Sequence, residues 1–192
     1  MKNNNYSSTL FKMISKININ DNFFSFQEKD NNILLKILKS KIKNISFNKN
    51  NLGSAFLCGL FFNKELDKMI SVSVGNILYS ILREKSGQKY EIIYISTEQY
   101  HDINIPYQLS SFNEDYNHLD IKCHNININD IIVIGNSKQI ILSFINKINS
   151  KENTLYNIDI SNNNNETYLV YYKINSPSII DTLSFSSTAS SF

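Results

Sequence analysis

Ser96-Thr97-Glu98-Gln99-Tyr100-His101-Asp102-Ile103-Asn104-Ile105-Pro106-Tyr107-Gln108-Leu109-Ser110 is the stretch whose reading decides the fold. It is a long loop of specific composition in a chain otherwise dominated by Asn, Ile and Lys, set between strands expected over 90–95 and 118–125. Glu98, His101 and Asp102 cluster in it, with His118 and His124 further on. A Glu-x-x-His constellation can ligate zinc or supply a general base. On a loop, however, no helical spacing fixes the geometry, so the preferred reading is structural. Glu98, Gln99, His101, Pro106 and Gln108 are expected to hold the loop to the strands beside it.

Outward from the loop, the pattern is mostly short strands. A continuous apolar run over 55–62, a turn over 63–67 and a strand over 69–74 come first. Gly75 and Asn76 break the pattern before strands over 77–82 and 90–95, with a turn at Lys85, Ser86 and Gly87. Beyond the loop, strands over 118–125 and 130–135 lead to Ser137, a candidate N-cap. The helix it starts has a core face of Ile140, Ile141, Phe144, Ile145 and Ile148. A final hairpin is expected from 155–160 and 167–174 across an Asn-rich turn, and the tail over 176–192 is Ser-rich. Upstream, the segment 31–46 is an amphipathic helix with Ile33, Leu34, Ile37, Leu38, Ile42 and Ile45 on one broad face. Its lysines, Lys36, Lys39, Lys41 and Lys43, read as a solvated face in preference to a binding stripe. The expected organisation is a leader over 1–30, one domain over 31–175 and the tail. The class is α+β, mainly antiparallel sheet with two helices of any length.

Composition bounds the function. The 192 residues carry 19 Lys and Arg against 17 Asp and Glu, a formal net charge of +2, which points to neither a nucleic-acid nor a membrane-surface partner. Arg83 is the only arginine, so bidentate phosphate forks are almost absent. No apolar run reaches the length of a membrane span. Cys58 and Cys123, far apart and without a secretory leader, read as thiols in a reducing compartment. Neighbours on a strand point to opposite faces, so Cys123 and His124 do not converge on one ion. Heavy use of Asn, Ile, Lys, Tyr and Phe, with Ala only at Ala55 and Ala189, is what AT-rich codons produce, as in some protist genomes. The leader has Lys2, Lys12 and Lys16 and no acid before Asp21, which suits either a mitochondrial transit segment or a disordered start.

The loop 96–110 resembles the SxEQxHxFNxPFQLS segment of PPM-type (PP2C-like) protein phosphatases of the mitochondrial PTC7 group. Four further stretches fall in the family's order. Leu52-Gly53-Ser54-Ala55 resembles the start of its LGSSTA strand, and Val74-Gly75-Asn76-Ile77-Leu78-Tyr79 resembles its NLGDSGF hairpin. The stretch 130–137 resembles its GDIILTATDG strand and turn, and 164–170 its DDITVVV strand. The resemblance covers roughly two-thirds of the chain and implies an antiparallel β-sandwich with flanking helices, trimmed in its N-terminal half. An unrelated antiparallel adaptor is the competing fold, and the absence of two stacked sheets would mark it.

The family's chemistry uses a pair of Mg²⁺ or Mn²⁺ ions held by aspartates at one end of the sandwich. Hard cations need oxygen ligands, and carboxylates also offset their charge. The matching positions have lost those carboxylates. Asn76 stands at the Asp of GDSG, Ser137 at the Asp of TDG with Lys138 after it, and Asn164 and Asn165 at the acidic pair, with Glu166 displaced by one. The DGVGG turn has no counterpart, and Asp21 only faintly echoes EDAFF. The resemblance with these losses implies a pseudophosphatase, with no catalytic residue and no metal, serving as a structural or protein-binding component, a subunit of a mitochondrial complex. A cytoplasmic location is the fallback. The alternative is an active, divergent Ser/Thr phosphatase using Mg²⁺ or Mn²⁺ on the weak substitutes Asp21, Asp130 and Glu166.

Overall fold

The computed structural model describes residues 6–16, 28–46, 54–85, 89–110, 115–150 and 169–175. In chain order these form α1 (Tyr6–Ile14), α2 (Glu28–Ser46), β1 (Ser54–Ala55), β2 (Leu57–Phe62), β3 (Lys68–Val74), β4 (Leu78–Lys85) and β5 (Lys89–Ile95). Then come β6 (Tyr100–Asp102), β7 (Ile105–Pro106), β8 (Leu109–Ser110), a 3-10 turn (Asp115–His118), β9 (Asp120–Asn125), β10 (Ile131–Gly135), α3 (Lys138–Asn149) and β11 (Leu169–Lys173). Asp21, Asn164, Asn165, Glu166, the expected strand over 155–160 and the tail over 176–192 lie outside the described residues.

Among the described residues every strand pairing is antiparallel: one sheet has the order β11-β10-β4-β5, a second the order β2-β3-β9, and β1-β8 and β6-β7 form two short pairs. Alternation along the strands stacks the two sheets. Met69 from β3 and Tyr79, Ile81 and Ile132 from β4 and β10 share one buried cluster between them. The opposite faces carry helices. Ile70, Val72 and Val74 of β3 pack on Leu10 of α1 and Leu34, Leu38 and Ile42 of α2. Leu78, Leu82, Ile131 and Val133 pack on Ile141, Phe144 and Ile145 of α3. The result is a sandwich with helices on both outer faces, which removes the adaptor reading.

Four details differ from the sequence expectation. The run 55–62 is split at Phe56: β1 pairs with β8, while β2 pairs with β3. The stretch 74–79 is not a hairpin, because β3 and β4 belong to different sheets. Gly75, at φ 94°, supplies the left-handed turn that carries the chain from one sheet to the other. Ile33 and Ile37, expected in the core, are 42% and 38% exposed, because α2 buries the narrower stripe Leu34, Leu38 and Ile42. Inside the expected leader, α1 is helical and Leu10 belongs to the core.

Candidate functional site

The end of the sandwich where β3 passes to β4 and β10 passes to α3 holds Asn76 and Ser137, two of the positions singled out by the resemblance. In the β10–β4 ladder Gly135 pairs with Leu78. Continuing that register past the last pair brings Ser137 level with Asn76. The fold therefore delivers these two positions to the same end. Asn76 is half-buried and offers a neutral carboxamide. Ser137 is the N-cap of α3, and its Oγ accepts the Ile140 N–H at 3.3 Å. Lys138, exposed, follows it at the first position of the helix.

The loop that follows β5 is pinned to this end by a chain of hydrogen bonds. Ser96 N–H donates to the Tyr79 carbonyl at 2.9 Å, and its Oγ accepts from the Tyr79 N–H at 2.9 Å. Gln99 clamps the corner between the sheets: its N–H donates to the Gly75 carbonyl at 3.1 Å, and its Oε1 accepts the Gly75 N–H at 3.0 Å. The Gln99 carbonyl then accepts from the Tyr107 N–H at 3.1 Å. A Cβ at Gly75 would sit 2.5 Å from Phe56 Cδ1 and 2.6 Å from the Tyr107 carbonyl oxygen, so only glycine fits under this loop.

Further along, β6 and β7 form a small hairpin in which Tyr100 pairs with Pro106, turning through Asn104 at φ 63°. Glu98 accepts the Tyr100 hydroxyl at 2.9 Å in an exposed contact. His101 Nε2 lies 3.0 Å from the buried Asp115 carboxylate, which also accepts the Gln108 N–H at 2.8 Å. Tyr107 stacks on His118 at 3.9 Å between ring centres and meets the His101 ring at 4.0 Å with the planes tilted by 55°. Glu98 and His101 thus each have a partner within the loop region. Asp115 was not among the residues read from sequence. Its only signal was its place at the start of a segment feeding a strand.

Asp130 is elsewhere. It precedes β10, at the opposite end from Ser137, roughly 23 Å along the strand by residue rise. Its carboxylate, 1% exposed, is held by the Arg83 guanidinium through two bonds of 2.9 and 2.8 Å and accepts the Asn127 N–H at 2.7 Å. It closes the far end of the sandwich and does not join Asn76 and Ser137. A shallow polar depression of about 300 Å³ lies over this pair, lined also by Glu84, Lys85, Asn127 and Asn129.

A second polar group, unread from sequence, lies between the sheets. The Tyr79 hydroxyl is 2.6 Å from Ser71 Oγ and 2.8 Å from His124 Nε2. Tyr94 packs on His124 at 4.4 Å, and Lys122 Nζ donates to the Tyr94 hydroxyl at 3.0 Å. Burial raises the Tyr79 hydroxyl above its ordinary range. Burial first, then the Lys122 charge, pushes His124 down to about 4. A hint was present, since Ser71 and Ser73 alternate with apolar residues in an otherwise hydrophobic strand. Cys123 faces the helix layer and His124 faces between the sheets, as strand alternation requires.

Among the described residues, no three His, Cys, Asp or Glu side chains gather as a metal-binding group. At the two described positions, Asn76 and Ser137, the donors are a neutral amide and a hydroxyl already engaged by a helix cap. This set does not fit a pair of adjacent divalent cations, which need oxygen ligands with negative charge.

No protein-family model matches this chain, and no curated protein matches it in sequence. Solved structures do. The photosystem II phosphatase PBCP is similar with a TM-score of 0.51 and 22% identity, over 74% of this chain and 53% of its own. PppA, a regulatory component of the T6SS in Pseudomonas aeruginosa, gives 0.45 and 12% identity, over 70% and 59%. The phosphatase domain of SpoIIE from Bacillus subtilis gives 0.41 and 12%, over 93% and 78%. The class defined by the architecture is the PP2C-like α+β fold. The chain spans about half the length of PBCP.

Proposed function

We propose that this chain is a pseudophosphatase of PTC7-type ancestry, a PP2C-fold protein that binds partners and does not hydrolyse phosphoesters. The observation that carries this reading is the donor set at the end of the sandwich. Asn76 contributes no charge, and the Ser137 hydroxyl is occupied by the Ile140 N–H. A water bridging two cations is activated only where the cations are held and their charge is offset. The loop 96–110 supports the PTC7-type ancestry, and with it a mitochondrial location and a place as a structural subunit of a larger assembly.

The second reading is a divergent Mg²⁺- or Mn²⁺-dependent Ser/Thr phosphatase. It draws on β11, whose first residue Leu169 pairs with Gly135, so this strand starts at the same end as Ser137. Glu166 lies just upstream in sequence, outside the described residues. Purified full-length chain assayed on p-nitrophenyl phosphate and a phosphopeptide separates the two readings. No Mn²⁺-dependent turnover is expected. Turnover that requires Mn²⁺ and disappears in Glu166→Gln or Asn76→Ala would replace the first reading with the second. Native purification and cell fractionation then test the assembly and the location, where a lone monomer outside mitochondria would overturn both.

A further inference from the structure

The helix layer over the β2-β3-β9 sheet carries an unusual charge distribution. Over α1, the short turn after it and α2 (6–16 and 28–46), the sequence has seven lysines against two acids, Glu28 and Asp30, both in the first turn of α2; beyond that turn there is no Asp or Glu. The whole chain has a net charge of only +2, so the remainder is net acidic and the positive charge is concentrated in this one layer. Lys12, Lys16, Lys36 and Lys41 are exposed, while Lys39 reaches back to the Asn117 carbonyl at 3.0 Å.

The outward side of the same helices is also apolar where a solvated face would be polar. Phe11 is 73% exposed, and Ile33 and Ile37, one turn apart on α2, are 42% and 38% exposed. At 100° per residue, the Ile33–Ile37 stripe is flanked by Lys36 on one side and Lys41 on the other. The core stripe Leu34, Leu38 and Ile42 is separately satisfied against β3, so these isoleucines are surplus to the fold.

We propose that this helix layer is a docking surface for an anionic lipid bilayer. Charge complementarity selects an anionic partner. A bilayer surface fits better than an acidic protein for two reasons. Lysines are mobile point charges that suit a laterally fluid array of headgroups, whereas fixed carboxylates are usually read by arginine forks, which this layer lacks. Apolar side chains set among basic ones bury into the headgroup boundary, as in interfacial amphipathic helices, and need no matching pocket. No described helix is long and apolar enough to cross a membrane, so the contact is peripheral. The near-neutral net charge of the whole chain hides this surface from a composition reading. The inference stands independently of the pseudophosphatase reading.

Co-sedimentation of the full chain with large vesicles tests it. The chain is expected to bind vesicles of phosphatidylcholine with about one-third phosphatidylserine, to ignore pure phosphatidylcholine, and to be released by salt. The double variant Lys36→Glu/Lys41→Glu is expected to lose at least about tenfold in affinity. Phe11→Ser is expected to weaken binding without changing its salt dependence. Lys138→Glu, an equal charge change for one residue at the other helix layer, is the control and is expected to bind nearly as the parent does. Circular dichroism checks that each variant is folded. Absence of binding to the anionic vesicles at low salt would overturn the proposal, as would equal losses for Lys138→Glu and the α2 double variant. Binding to polyglutamate but not to vesicles would also overturn it, in favour of an acidic protein partner.

Discussion

His124 is a residue whose environment makes a pH prediction. Its ordinary value of 6.5 is lowered to about 4 by burial between the sheets, with Lys122 adding to the effect. The unfolded chain therefore takes up this proton near pH 6.5 and the folded chain only near 4. Between those limits the unfolded state binds more protons, so stability is full above about 6.5, falls as the pH drops, and levels off below about 4. The ring is only half-buried, and solvent screening reduces the effect to about 1–2 kcal/mol. Urea titrations at pH 7 and pH 4.5 measure it. His124→Gln is expected to remove most of this His124-linked loss, and an unchanged pH dependence in that variant would assign it to other groups. The Tyr79 hydroxyl, set between Ser71 and His124, gives the neutral imidazole a hydrogen-bond partner in the seam that needs no charge.

At the scale of elements, the corner between β3 and β4 and the loop over it act as one unit. Gly75→Ala is expected to cost about 2–3 kcal/mol, because φ 94° disfavours any side chain and the new Cβ meets the Tyr107 carbonyl and the Phe56 ring. Gly59→Ala in β2 is the comparison: its nearest neighbour would be a Phe61 side-chain atom at 3.4 Å, and a cost below about 1 kcal/mol is expected. Equal costs, measured as shifts in the denaturation midpoint, would mean that the corner is not tight. This corner also shows what sequence could reveal. The Ser137 cap and the α3 core face were legible because they depend on neighbours within a turn or two. The strand periods were legible for the same reason. The jump of the chain between sheets at Gly75 was not, because hairpin and crossover use the same local turn residues. Nor was the split at Phe56, where β1 leaves its own run to pair with Leu109 and Ser110, far along the chain. Ile33 and Ile37 fit the apolar period of a core helix, but periodicity cannot say how wide a stripe the sheet will cover. Asp115 gathers His101 and the Gln108 N–H by tertiary contact alone.

At the scale of the whole molecule, the PP2C-like sandwich brings to one end, at Asn76 and Ser137, a neutral amide and a hydroxyl. The same antiparallel ladder that brings Ser137 level with Asn76 would bring two carboxylates together in a chain that had them there. Scaffold and chemistry are thus separable: sheet register depends on alternation and burial, whereas cation binding depends on a few side chains at strand ends. Thermal unfolding with and without Mn²⁺ tests this separation without requiring turnover. A site filled a hundredfold above its dissociation constant adds about 2.7 kcal/mol, which for a chain of this size raises the midpoint by roughly 5–10 °C. A shift below about 1 °C is expected at millimolar Mn²⁺ or Mg²⁺, since at the two positions 76 and 137 the donors are an uncharged amide and a hydroxyl committed to α3. A rise of 5 °C or so that Glu166→Gln abolishes would show that displaced acids had rebuilt the site. A rise that survives Glu166→Gln and is lost in Asp130→Asn would instead put the cation at the Arg83 end, where the carboxylate is already neutralised by its guanidinium partner. That competition with a fixed, two-point ion pair is why the cation is expected to lose.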